Sequence, residues 1–329
     1  MRRSGYRVIA VVLALVVGLL AASASATVGD RAQAEHDRIT SYWTAARIAS
    51  AIPRDMVVDR GRSPQAKPPG TPGGGGGGGG GGGEEGAVTG VSWEGGGGVQ
   101  RTTGKVLFTM GSSNFVCSGS AVVDGLSGHS LVLTAGHCVY DDVANAFATN
   151  WVFFPAYEEN PVLSCAGSDR CFTAAGLVTT AGWADRDFEH DYAFAVIAPR
   201  GTALLEIAYG TQGIGFNQGE RLGVHSFGYP HARPFNGNDL IYCAGTSKDD
   251  PFGSTTQGLA CKMTGGSSGG PWLASFNEET GTGLLYSVNS YKYSNDKNTM
   301  YGPYLGDEAE TTYEAANDWS AGNILVNVP

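Results

Sequence analysis

Three short stretches carry side chains that together could activate a hydroxyl at neutral pH. "LVLTAGHCV" (131–139) places His137 at the end of an apolar run, beside a cysteine. "FEHDYAFAVI" (188–197) places Asp191 at the head of another, and "MTGGSSGGPW" (263–272) sets Ser268 among glycines. An imidazole can take the proton of a serine hydroxyl, and a buried carboxylate fixes its tautomer and stabilises the imidazolium that forms. Glycines around the serine leave room for a substrate and let bare backbone N–H groups reach the carbonyl under attack. Asp185, Asp187 and Glu189 stand near Asp191 but lack an equally apolar strand behind them, so Asp187 is the second candidate for the acid.

These residues need a scaffold, and from about residue 101 the chain reads as short strands. "KVLFTM", "SGSAVVD", "SLVLTAG", "WVFFPAY", "AFAVIAP", "RLGVHSFGYP" and "LLYSVNSY" are strand-length runs rich in Val, Phe and Tyr, separated by turn residues. Segments of helical period are nearly absent there. The expectation is a β-rich domain of about 230 residues, either a sandwich or a pair of barrels.

The first hundred residues differ. Arg2, Arg3 and Arg7 precede an apolar run from Val8 to Leu20, then "ASASA" (22–26). That is the pattern of a cleaved export signal ending at Ala24 or Ala26. A bilayer span needs about 20 apolar residues, more than this run supplies. "HDRITSYWTAARIASAI" (36–52) has Ile39, Tyr42, Trp43 and Ala46 near one face and predicts a helix that Pro53 ends. "SPQAKPPGTP" then leads into eleven consecutive glycines, Gly73–Gly83, which read as a flexible tether. The expected divisions are a signal peptide (1–26), a prosegment (27–72) and a Gly-rich linker (73–100). Two parts of the β domain follow, 101–205 and 206–329.

Charge narrows the partners. Residues 1–100 carry ten Lys and Arg against eight Asp and Glu, whereas residues 101–329 carry eleven against twenty-three, a net of −12. So acidic a domain repels phosphate backbones and excludes nucleic acid as a partner. All six cysteines, Cys117, Cys138, Cys165, Cys171, Cys243 and Cys261, lie in this part. An even number in an exported chain predicts disulfides, with fifteen pairings open. The adjacent His137–Cys138 could suggest zinc, but no Cys-x-x-Cys or His-Glu-x-x-His accompanies it.

The order His, Asp, Ser in "TAGHC", "HDYAF" and "GGSSGGP" resembles the chymotrypsin clan of serine proteases over about residues 101–329. "CSGSAVV", "SFGYP", "YCAG" and "MTGGSSGGPW" are similar to its secreted bacterial branch, which includes the glutamyl endopeptidases and trypsin-like proteases of actinomycetes. The resemblance implies two six-stranded antiparallel β-barrels with the site in the cleft between them. His137 and Asp191 would come from the first barrel and Ser268 from the second, with the N–H groups of Gly266 and Ser268 as the oxyanion hole. It further implies disulfides Cys117–Cys138, Cys165–Cys171 and Cys243–Cys261. The primary pocket would be walled by Lys262, Met263 and Thr264 and by the strand carrying Ser287, Asn289 and Tyr291.

The chain also departs from the clan. Its animal members have Asp before the nucleophile, paired with an amino terminus released from an Ile-Val-Gly-Gly-like sequence. Here Ser267 holds that position and no such sequence precedes "TGKVLF". The expectation is therefore a secreted, monomeric serine endopeptidase acting on proteins or peptides and accompanied by its own prosegment. It would keep no membrane anchor after signal cleavage and require neither metal nor organic cofactor. An esterase using the same three residues is a second reading, poorly served by so few helical segments. A catalytically inactive extracellular binding domain is a third.

Overall fold

A computed structural model describes residues 28–59, 65–66, 87–126, 128–159, 161 and 163–328. The expected signal peptide and the glycine run lie outside the described residues. The chain divides into two compact units, residues 1–35 and 36–329; the described part of the first is helical from Val28. Among the described residues no helix is long and apolar enough to cross a membrane.

Six strands close a barrel in the second unit. They are β1 (Thr103–Met110), β2 (Ser113–Val122), β3 (Ser130–Thr134), β4 (Thr149–Pro155), β5 (Phe172–Thr180) and β6 (Ala193–Ile197). Hydrogen bonds run in the order β2-β1-β4-β5-β6-β3, and β3 pairs with β2 to complete the ring. Closure gives every strand of the ring two neighbours. Every residue of β1, β3 and β6 is buried, which explains the apolar runs Val106–Phe108, Leu131–Leu133 and Ala193–Ile197 within them. The register of β3 on β6 sets Thr134 opposite Ala193. The chain leaving β3 for His137 and the chain arriving from Asp191 therefore meet at one end of the barrel.

The second half is built differently. Its strands are β7 (Gly223–Gly228), β8 (Ile241–Thr246), β9 (Gln257–Ala260), β10 (Pro271–Asn277), β11 (Thr282–Val288) and β12 (Asp296–Gly302). The expected second six-stranded barrel is not closed by a ladder among the described residues. Instead β11-β10-β7-β8 form one sheet, and β9 and β12 belong to another. The reason lies at the edge of β8, where Val88–Ser92 pairs along Ile241–Ala244 and occupies the backbone groups β9 would need. The Cys243–Cys261 disulfide joins β8 to the residue after β9, and Val224, Leu259, Met263, Trp272 and Met300 fill the core between them. The other two bridges are Cys117–Cys138 and Cys165–Cys171.

Two further expectations change. Residues 88–100, placed in the linker, are strand Val88–Ser92 and the start of the short helix Gly97–Thr102, with Trp93 buried against Phe227 and Tyr242. Gly95–Gly98 disguise them: glycine content suggests slack where Val88 and Val91 supply the strand and Trp93 packs just beyond it. The helix expected over 36–52 breaks at Trp43–Thr44, where the Thr44 hydroxyl accepts from the Arg47 N–H and starts the separate helix Ala45–Ser50. Trp43 itself is fully buried on the first barrel and donates its Nε1–H to the Asn150 carbonyl at 2.6 Å. Burying a side chain of that size contributes about 2–3 kcal/mol. The last described strand, Ile324–Val326, pairs with β5, so the chain's end completes the first half.

Candidate active site

His137 lies in a one-turn 3-10 helix, Gly136–Cys138, that begins two residues after β3. Asp191 ends a second such turn, Phe188–His190, just before β6. Both side chains are fully buried. Asp191 Oδ2 is 2.8 Å from His137 Nδ1, and Oδ1 accepts the His137 backbone N–H, also at 2.8 Å. The Ser290 hydroxyl donates to Oδ2 as well. An ionised carboxylate can only accept, so Nδ1 carries the hydrogen and Nε2 is left as the acceptor. Three donors on one carboxylate fix the ring and its tautomer. Among the described residues Nε2 has no hydrogen-bond partner.

Ser268 comes from the other half, in the loop between β9 and β10, and is 6% exposed. Gly266 has φ +99°, and a Cβ there would meet the His231 nitrogen at 2.8 Å, so only glycine takes this turn. In the loop, the N–H groups of Ser267, Gly269 and Gly270 all find carbonyls. Those of Gly266 and Ser268 donate to no backbone acceptor among the described residues. Two amides beside the hydroxyl are thus available to an incoming carbonyl oxygen.

The loop is held by side chains. Asn289, fully buried, donates to the carbonyls of Ser267 (3.1 Å) and Phe227 (2.9 Å). Its Oδ1 accepts from Ser226 Oγ (2.7 Å) and Trp272 Nε1 (2.8 Å). From the first barrel, Ser118 donates its hydroxyl to the Gly266 carbonyl (2.9 Å) and its N–H to the Ser268 carbonyl (2.7 Å). Ser267, where the clan's animal members have Asp, turns its hydroxyl to the Thr264 carbonyl at 2.8 Å and completes a local turn.

The other expected residues surround this loop. Lys262 is exposed, Met263 is fully buried in the second core and Thr264 donates to the Ala232 carbonyl. Ser287 donates to the Pro303 carbonyl (2.8 Å), and the Tyr291 hydroxyl to Asp250 (2.8 Å). Asp187, the second candidate for the acid, ion-pairs with His190 at 3.2 Å, away from His137. Cys117, His137 and Cys138 offer ligand atoms within 4.8 Å of one another, but both sulfurs are taken by the disulfide.

Three residues near the site carry no signal in the sequence. Ser290 is one serine among many in the sequence, and only the fold sets its hydroxyl on Asp191. Lys292 donates to the carbonyls of Cys261 and Lys297, both at 2.7 Å. Burial pulls its ammonium down to about 7, with Asp296 and Asp55 opposing. Arg54, in the N-terminal segment, has its carbonyl 3.3 Å from Ser268 Oγ, which donates to it.

Two solved structures share both this fold and much of the sequence. A thermostable serine protease, AL20, from an extremophilic microorganism is 42% identical, over 67% of this chain and 99% of that one, with a TM-score of 0.61. Protease Anisep from Arthrobacter nicotinovorans is 40% identical, over 67% of this chain and 96% of its own, with a TM-score of 0.60. The chain belongs to the chymotrypsin-clan, trypsin-like serine proteases. It is a serine endopeptidase. A Glu endopeptidase, 16% identical with a TM-score of 0.53 over 71% of this chain and 99% of that one, shares the protease's fold. No family profile matches the protease, and no curated protein does.

Proposed function

We propose that this protease is exported and cuts peptide bonds through an acyl-enzyme formed on Ser268, with His137 as base and Asp191 as its orienting acid. His137 Nε2 takes the Ser268 proton as Oγ bonds to the scissile carbonyl carbon. The oxyanion that forms accepts from the N–H groups of Gly266 and Ser268. The imidazolium returns its proton to the departing amine, and water repeats the sequence to release the acid. The observation that carries this reading is the buried Asp191 carboxylate, which holds His137 by both its backbone and Nδ1 and so leaves Nε2 the acceptor. Substrate side chains enter between residues 262–264 and the strand 287–291. Three disulfides fit an oxidising, extracellular destination. Residues 27–72 act as a prosegment, removed with the signal peptide on maturation to a monomer.

A peptide-library digest by the matured protein, read by mass spectrometry, tests the activity. Cleavage abolished by Ser268→Ala is the expected result. Undiminished cleavage by that variant would rule out the assignment of Ser268.

A further inference from the structure

Residues 52–58 thread the cleft between the two halves. Ile52–Pro53 pairs with Phe115–Val116 at the start of β2, in parallel, and the Arg54 N–H donates to the Val116 carbonyl at 3.3 Å. Met56–Val58 then pairs, again in parallel, with Tyr291–Tyr293 of the second half. Between them, the Arg54 carbonyl accepts the Ser268 hydroxyl at 3.3 Å, which turns that hydroxyl from His137 Nε2. Ser268, His137 and Asp191 are all buried with the segment in place.

The Arg54 side chain anchors it. Its Nε donates to the His137 carbonyl at 3.0 Å, and its Nη2 lies 3.7 Å from Asp142 and 3.9 Å from Asp141. The Asp142 carboxylate is buried, with Arg186 as its second cation at 2.8 Å. Asp55 lies so close over Gly265 that a Cβ there would overlap its carboxylate. Met56 and Val58 are each 3% exposed. Such burial and charge pairing mark a seated strand.

The direction of that strand decides whether it can be cut. For attack on the Arg54 carbonyl, the Asp55 nitrogen would leave and must be protonated by His137. Past Arg54, however, the chain runs over Gly265 to Tyr291, the wall of the second half. The acyl side, Ile52–Pro53–Arg54, occupies the other wall, beside Cys117–Cys138 and the His137 carbonyl. The amine thus points away from His137, the acid that would have to release it. We propose that residues 52–58 are an inhibitory strand that fills the cleft in the non-productive direction and is locked by Arg54 on Asp141 and Asp142. This rests on the reading of Ser268 and His137 given above. The strand masks the nucleophile without being consumed by it, so silencing is reversible until another cut or dissociation removes it.

The test uses the full chain and a fluorophosphonate probe, mapped by mass spectrometry. Arg54→Ala, checked for a cooperative melt, should label at Ser268 about ten- to a hundred-fold faster than the unaltered chain, as expected when a charged anchor of the closed state is lost. A free peptide with the sequence of residues 50–59 should slow that labelling again and remain uncut at Arg54–Asp55. Equal Ser268 labelling in both chains would overturn the inhibitory strand and leave the catalytic assignment standing. Label landing on a different serine in both would overturn the two together. A further readout needs no Arg54 variant. In the unaltered chain the Arg54–Asp55 bond should survive prolonged incubation, and a cut there that Ser268→Ala abolishes would refute the reversed direction.

Discussion

The two halves of the molecule hold their share of the site by different means. In the first, His137 and Asp191 sit on adjacent strand ends of a closed barrel, so the β3–β6 register brings them together. In the second, no ladder among the described residues closes the sheets, and the Ser268 loop is held by side-chain hydrogen bonds from Asn289 and Ser118. A backbone ladder tolerates most side-chain changes, whereas a buried side-chain network fails when one member is lost. The acid–base pair should therefore be robust to substitutions around it, and the nucleophile loop fragile.

The largest expected effects come from removing the chemistry itself. In the matured protein, Ser268→Ala and His137→Ala should each lower kcat by about 10⁴–10⁶, and the double variant little more, if they act as one unit. Asp191→Asn should cost roughly 10⁴, because an amide favours the wrong imidazole tautomer. Peptide-hydrolysis kinetics check all three, and additive losses in the double variant would contradict a shared mechanism.

Next comes the brace. Asn289→Ala removes the acceptor of the Ser226 hydroxyl and the Trp272 Nε1–H and a donor to the Phe227 and Ser267 carbonyls in a buried core, the Ser267 carbonyl keeping the Gly270 N–H. The expected cost is about 3 kcal/mol of stability, from several buried groups left unsatisfied. A kcat loss of about 10²-fold should follow from misplacement of the loop. Thermal melts and kinetics on one preparation read both. On the barrel side, replacing Ser118 by Ala removes only one of its two links to the loop, since its N–H still reaches the Ser268 carbonyl. Its losses should be the smaller, and equal losses would undo the comparison.

Much of the catalytic half of this was legible in the sequence, because "TAGHC" and "GGSSGGP" place a nucleophile and a base in contexts few other folds need. Ser290 was not. Its hydroxyl matters only because the chain returns it to Asp191 across 99 positions, and nothing in "SVNSYK" reports that. Asn289 was visible as a wall of the pocket, but its four hydrogen bonds depend on orientation that residue type does not encode. Residues 88–92 were obscured by neighbouring glycines, and their pairing with β8 is what separates the second half into two sheets. Arg54 lay in a segment whose composition suggested only a helix end and a tether.

A smaller effect bears on how the barrel presents Asp191. His190, one residue earlier, is tied to Asp187 and to Glu308 of the helix Asp307–Asn317. The hydrogen bond to Asp187, and then that to Glu308, raises its imidazole to about 9, with burial opposing. The unfolded value is near 6.5. A raised value means the folded chain holds the proton more tightly, so this contribution is full below about 6.5 and fades as pH rises through about 9. The melting temperature of the unaltered chain relative to His190→Gln should fall across that window. A flat difference between pH 6 and 10 would mean the cluster does not titrate with folding.

In the proposed mechanism His137, oriented by Asp191, activates Ser268. The most direct measurement is the rate of fluorophosphonate labelling at Ser268 in matured protein, with and without His137→Ala, the labelled peptide identified by mass spectrometry. Rapid labelling of Ser268 is expected, with a fall of about 10³-fold or more when the base is lost. Labelling at full rate without His137, or labelling of another serine, would contradict it.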